Sequence, residues 1–261
     1  LDGIHPTMYR TPLYPLIIAF ISFCFGAKPI VFVIFTAIIG AGNALLCAWI
    51  SYKLFGRKAA LIAGILYAIT PYLAWQEVAS ESGLATLWVL AAIVLLWKAW
   101  ETPDKKQFII YAGILSGCAY LTRPTVALVP LFISVFMMTT ACINKKLART
   151  HVIHALLFLC IFMLCVTPWI VYNKRTFKHF AAGQIAFWET VYAGNHPHAF
   201  AIYPQYSFDN LFPLAAPQMW PHEKNDYEQT QAFKKIALHE LREIGIRKIA
   251  LNSVTKFAYL W

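Results

Sequence analysis

Long apolar runs recur along the chain, each closed by a short polar cluster. The first, Pro12–Gly26, holds only 15 residues. Pro29–Tyr52, Ala59–Trp75, Ser82–Trp100, Phe108–Leu121, Thr125–Ile143 and His151–Tyr172 follow. A helical bilayer crossing takes about 20 predominantly apolar residues, so the last six of these runs predict a bundle of six transmembrane helices over 29–172. The clusters between them alternate. Those at 53–58, 98–106 and 145–149 hold nine Lys or Arg between them, whereas the turns at 76–81 and 122–124 hold only Arg123. Cytoplasmic loops retain the basic residues, so the first set is expected inside and the second outside.

This alternation constrains the start of the chain. If Pro29 lies outside, Pro12–Gly26 at 1.5 Å per residue reaches only about 22 Å, short of a hydrocarbon core about 30 Å thick. Residues 1–28 are therefore expected as a re-entrant or juxtamembrane segment at the outer face. Pro12 and Pro15 suit the first turn of a helix, where a missing N–H costs nothing. Residues 173–248 differ in kind, with nine Lys or Arg, seven Asp or Glu and turn-rich patches at Gly194–Pro197 and Ala216-Pro217. They are expected to form an extracytoplasmic loop domain. Within it Glu228–Lys248 has helical periodicity, with Phe233, Ile236, Ala237, Leu241 and Ile244 apolar among charges. Ile249–Trp261 then starts a further transmembrane helix. Because the chain begins at Leu1 and ends in that apolar stretch, a longer parent chain is expected.

Composition supports the membrane reading. Of 261 residues 59% are hydrophobic and 13% charged, with mean hydropathy +0.57, against about 25% charged in soluble domains. The net charge of +10 follows from basic cytoplasmic loops and calls for no nucleic acid. All six cysteines lie in apolar runs without a Cys-x-x-Cys pair, so they read as small hydrophobes. Gly113-x-x-x-Gly117 and the small residues Ala37, Gly40, Ala41 and Ala44 permit close helix approach.

Charges next to a bilayer mark the candidate chemistry. Arg10 stands before Pro12, and Arg123 is wedged between two apolar runs, followed by Pro124. Either could be an interfacial arginine meeting lipid phosphate. Either could instead hold the phosphate of a bound substrate bidentately, as guanidinium geometry allows. Glu77 and Glu81, four apart, would share a helix face. They could act on a proton or a sugar hydroxyl, or pair with an arginine; Glu81, at a helix start, is the better candidate. His196-Pro197-His198 has metal-like spacing, but two exposed imidazoles in a loop are the default. No Gly-rich phosphate loop or nucleotide fingerprint is present, so a membrane-resident donor fits better than a soluble nucleotide.

Several of these residues together resemble a known family. Tyr9–Pro15 is similar to the Arg-Pro-Pro-x-Tyr-Pro element of polytopic GT-C glycosyltransferases, the dolichyl-phosphate-mannose–protein mannosyltransferase superfamily. Its bacterial members include the lipid A aminoarabinose transferases. Leu54–Ala60 resembles the family's cytoplasmic turn, and Pro71 with Ser80-Glu81 its outer turn. Gly113–Pro124 resembles its Leu-Thr-Arg-Pro signature, Pro168-Trp169 with Asn173 its Pro-Trp-x-x-Arg-Asn, and Tyr192–Pro197 its Gly-Asn-x-Pro loop. Tyr172 stands where the family carries arginine. The resemblance implies a GT-C-like helical bundle in the bacterial inner membrane with its site on the outer side. It implies transfer of a sugar from a polyprenyl-phosphate donor to the hydroxyl of a glycan, lipid or protein acceptor. Arg10 and Arg123, with Tyr9 and Tyr14, would bind the donor phosphate. The family's acidic base would lie upstream of Leu1, with Glu81 as the alternative here. No tightly bound cofactor is implied, and a divalent metal stays open. The competing class is a transporter or flippase of a lipid-linked substrate. That class favours ionisable groups at the midplane and repeated halves, whereas these charges sit at segment ends.

Overall fold

The structure, a computed structural model, describes residues 11–70, 81–143, 148–178, 187–195 and 226–260. All regular elements among them are helical. The chain divides into two compact units, one spanning Thr11–Tyr172 and the other formed by 1–10 with 173–261.

The first unit begins with α1 (Leu13–Phe25), α2 (Pro29–Phe55) and α3 (Arg57–Ile69). It continues with α4 (Ser82–Glu101), α5 (Gln107–Thr122), a 3₁₀ turn (Pro124–Ala127), α6 (Leu128–Ile143) and α7 (Ala148–Phe177). α2, α4, the 3₁₀ turn with α6, and α7 are each long and apolar enough to cross a membrane. α5 is apolar but has 16 residues, and the described part of α3 has 13. Their outward faces are apolar: Phe23 is 89% exposed and Ile38 67%. In water that surface would be a liability; here it meets lipid tails. The chain is thus an all-α polytopic membrane protein.

Polar punctuation sets the helix ends. Gly56 joins α2 to α3 at φ +85, a conformation costly for any residue with a Cβ. The 102–106 loop turns α4 back antiparallel onto α5, with Lys105 N–H donating to the Thr102 carbonyl at 3.1 Å. The core lies where α4 to α7 meet, around Ala92, Ile109, Ala112, Met137, Ala155 and Phe158. The paired glycines decide how close α5 and α7 come. A Cβ on Gly113 would stand 2.9 Å from the Ile161 Cβ, and one on Gly117 would stand 2.5 Å from the Cys165 Cβ. Gly64 packs likewise against Ala48 and the Ala44 carbonyl, while Ala37 and Ala41 are exposed. Pro168 lies inside α7, where its ring removes one backbone hydrogen bond.

α2 and α4 run parallel, held at three levels. Asn43 Nδ2, fully buried, donates to the Gly83 carbonyl at 2.9 Å. Trp49 and Trp97 meet edge to face at 6.5 Å. Lys53 Nζ then pairs with Glu101 at 2.8 Å. Asn43 sits about 20 Å along α2 from Pro29. The start of α4 is therefore placed beside the middle of α2, not beside its N-terminus.

The second unit contains α8 (Phe187–Asn195), α9 (Asp226–Ile244) and α10 (Ile246–Leu260). Tyr192 packs on Phe233 and Ala237, with Trp188, Val191 and Ile236 around them. Lys234 Nζ stands 5.6 Å over the Trp188 ring. Phe233, Ile236 and Ala237 form the inner stripe, as the periodicity predicts. α10 follows Gly245 and has 15 residues, with Ile246, Leu251 and Val254 exposed.

Two outcomes are expected from this packing. Gly117→Val should destabilise the helical bundle by about 1–3 kcal/mol through overpacking against Cys165, read as a lower unfolding midpoint in detergent; an unchanged midpoint would refute the close approach. In the second unit, burial and then the Glu243 carboxylate push the Glu240 carboxyl above the usual range, with His239 opposing. A folded-state pKa raised this way stabilises fully below the ordinary carboxylate range and is lost as pH rises through the raised value. Hydrogen-exchange protection of α9 should fall over that interval, and Glu240→Gln should remove the fall.

Candidate functional site

Arg123 occupies the break between α5 and the 3₁₀ turn. α5 cannot run through it, because Pro124 disfavours helical backbone in the residue before it. Arg123 accordingly adopts an extended conformation, φ −148 and ψ 106. Its N–H still caps α5, donating to the Ala119 carbonyl at 2.8 Å, and its carbonyl accepts from Val126 N–H at 3.2 Å. The backbone is thus fixed on both sides while the side chain leaves the helix half-buried. Among the described residues no hydrogen bond or ion pair engages the guanidinium. A held, half-buried cation without an acidic partner suits an anionic ligand.

The start of the chain's first helix is brought to the same place. Thr11, only 1% exposed, donates its Oγ1 hydrogen to the Thr122 carbonyl at 3.0 Å. Thr122 is itself buried and returns its hydroxyl to the Cys118 carbonyl at 2.7 Å. The Thr11 bond joins positions 111 residues apart and uses a carbonyl that the end of α5 leaves without a helical partner. Tyr14, half-buried, follows in the first turn of α1. Arg10 and Tyr9 lie outside the described residues, as do Glu77 and the His196-Pro197-His198 pattern.

Glu81 precedes α4, and its carbonyl accepts from the Ala85 N–H at 3.0 Å. Its side chain is half-buried. Since α4 and α5 form an antiparallel hairpin, Glu81 and Arg123 stand at the same end of it. The Asn43–Gly83 bond sets that end beside the middle of α2, so both charges are recessed along α2 from Pro29. Among the described residues, no group of three or more His, Cys, Asp or Glu could hold a metal ion.

Reading the sequence alone passes over Thr11 and Asn43. Asn43 carried a usable signal, an amide in the middle of an otherwise apolar run. Thr11 carried none, since a threonine between Arg10 and Pro12 is unremarkable until its partner is known. Nearby, Trp169 and Tyr172 stack at 5.4 Å, so Tyr172 is engaged with a ring.

Antiparallel apolar helices with a half-buried cation at a proline-broken helix end define a polytopic membrane protein. Residues 5–172 match the sequence profile of the dolichyl-phosphate-mannose-protein mannosyltransferase family. The match covers well over half of the chain, and the chain belongs to this family: it is a multi-pass membrane glycosyltransferase of the GT-C type. The matched span includes Arg10, Glu81 and Arg123 and stops before Asn173 and the Tyr192–Pro197 motif. No curated protein and no solved structure gives a significant match.

Thr11→Val keeps the shape of the side chain and removes its donor. It should cost about 1 kcal/mol of stability, measured by thermal unfolding in detergent, whereas Thr11→Ser should stay near wild type. Equal stability of all three proteins would show that the bond carries no weight.

Proposed function

We propose that this glycosyltransferase moves a sugar from a polyprenyl-phosphate donor to an acceptor hydroxyl at the extracytoplasmic face of the bacterial inner membrane. The observation that carries the proposal is the buried Thr11–Thr122 hydrogen bond. It brings the residue that follows Arg10 in the sequence to the residue that precedes Arg123. Family membership supplies the reaction type, and the alternation of basic loops supports the outer face.

In the proposed reaction the acceptor oxygen attacks the anomeric carbon while the bond to the lipid phosphate breaks. Negative charge grows on the phosphate as it departs, and a fixed cation there stabilises the transition state more than the ground state. Arg123 fills that role, with Arg10 as the second cation. Tyr9 and Tyr14 assist in holding the donor. A carboxylate takes the acceptor proton, a general-base task; Glu81 is the described candidate, and an acid upstream of Leu1 is the one the family pattern favours.

The test uses the full-length protein in proteoliposomes, supplied with a polyprenyl-phosphate hexose or with the matching nucleotide sugar. Transfer is expected from the lipid donor alone. Arg123→Ala and Arg10→Ala should each lower turnover by about 10²–10³-fold, the usual effect of removing one charge-stabilising donor. Lysine at either position should restore only part of it, because an ammonium lacks the fork geometry. Full turnover by both alanine variants, or transfer from the nucleotide sugar alone, would overturn the proposal.

A further inference from the structure

At the end of the α4–α5 hairpin opposite Arg123, the first unit encloses a cavity of about 380 Å³, within the range of small-ligand sites. Along α5 it lies at Ile109, some 20 Å from the Thr122 end. The catalytic proposal uses no residue of it.

Its wall is mostly carbon. Ile109, Ala99 and Met137 form a buried floor, at 0%, 3% and 7% exposure. His151 and His154, three apart on α7, complete the wall, both at 5% exposure or less. His151 stacks its ring on Trp100 at 4.7 Å. His154 is different. Its Nε2 is buried with no hydrogen-bond partner. With the ring neutral and its proton on Nδ1, Nε2 is a bare acceptor. A buried acceptor without a donor is unfavourable, and the cavity is the space from which a donor could come.

The mouth decides what kind of molecule arrives. Trp100 and Phe136 frame it, with rings 6.2 Å apart. They are 49% and 61% exposed on the outward surface of the helices, at the end that carries Glu101 and Arg149. A ligand whose chain enters here comes from the lipid phase. An anion would have to leave its hydration for a nearly all-carbon wall. A saturated hydrocarbon would leave Nε2 unsatisfied.

We infer that this cavity binds a neutral membrane lipid bearing a single hydroxyl, its chain against Trp100, Phe136 and Met137 and its O–H donating to His154 Nε2. It is a lipid-alcohol site separate from the transfer reaction.

The test is photolabelling of the full-length protein in liposomes with a diazirine-bearing long-chain alcohol, compared with the methyl ether of the same chain. The ether keeps the apolar body and loses the donor. Label from the alcohol should concentrate on Ile93, Leu96, Ile133 and Met137. The ether should label these positions about three- to tenfold less. His154→Leu should abolish the difference between the two probes, and Trp100→Ala should weaken both. Equal labelling of the wild-type cavity by alcohol and ether would overturn the inference. So would label spread evenly over lipid-facing positions such as Phe20, Ile38 and Leu164. The wild-type comparison decides the matter even if the histidine variant does not fold, and it is independent of glycosyl transfer.

Discussion

The hydrocarbon interior offers a polar group no water, and that constraint governs the rest of this protein. Backbone amides must be paired within their own helices, which accounts for the helical architecture. It also makes each polar contact between helices consequential, because the alternative is an unsatisfied group in lipid. Several such contacts among the described residues have a positional effect. Asn43 sets α4 against the middle of α2, Thr11 sets α1 against the end of α5, and Lys53 with Glu101 closes the basic end. Between these points, association rests on small residues. The glycine pair at 113 and 117 lets α5 approach α7 until no Cβ would fit.

The same constraint explains where the chemistry collects. Pro124 ends α5 one residue early, which frees the last carbonyls of the helix and turns Arg123 out of it. One freed carbonyl, that of Thr122, is taken by Thr11. A helix end that would have been a defect in lipid becomes the point where the start of α1 is held. Arg123 is thereby held half-buried at the end of α5, with its backbone fixed on both sides.

The two ends of the α4–α5 hairpin are complementary in character. One carries Arg123 and Glu81, ionisable and recessed. The other carries a carbon-lined cavity with one bare imidazole nitrogen, framed by aromatic rings on the lipid-facing surface. One hairpin therefore places an ionisable end and an apolar cavity about 20 Å apart without mixing them.

Hydropathy alone determined the membrane class and the long helices, because bilayer thickness demands long apolar runs. The observed bounds of α2, α4 and α7 depart from the apolar runs by only a few residues, where Lys53, Glu101 and Arg149 extend the helices past the hydrocarbon. The family was legible too, since Leu-Thr-Arg-Pro and the arginine before Pro12 are local patterns. Tertiary structure alone decided which ends meet. No periodicity links Thr11 to Thr122 or Asn43 to Gly83, because side chain to backbone bonds across helices depend on geometry and leave no matching residue type at the acceptor. The histidines at 151 and 154 were equally silent: an imidazole three residues from another reads as interfacial until the packing of Trp100, Met137 and Ile109 encloses it.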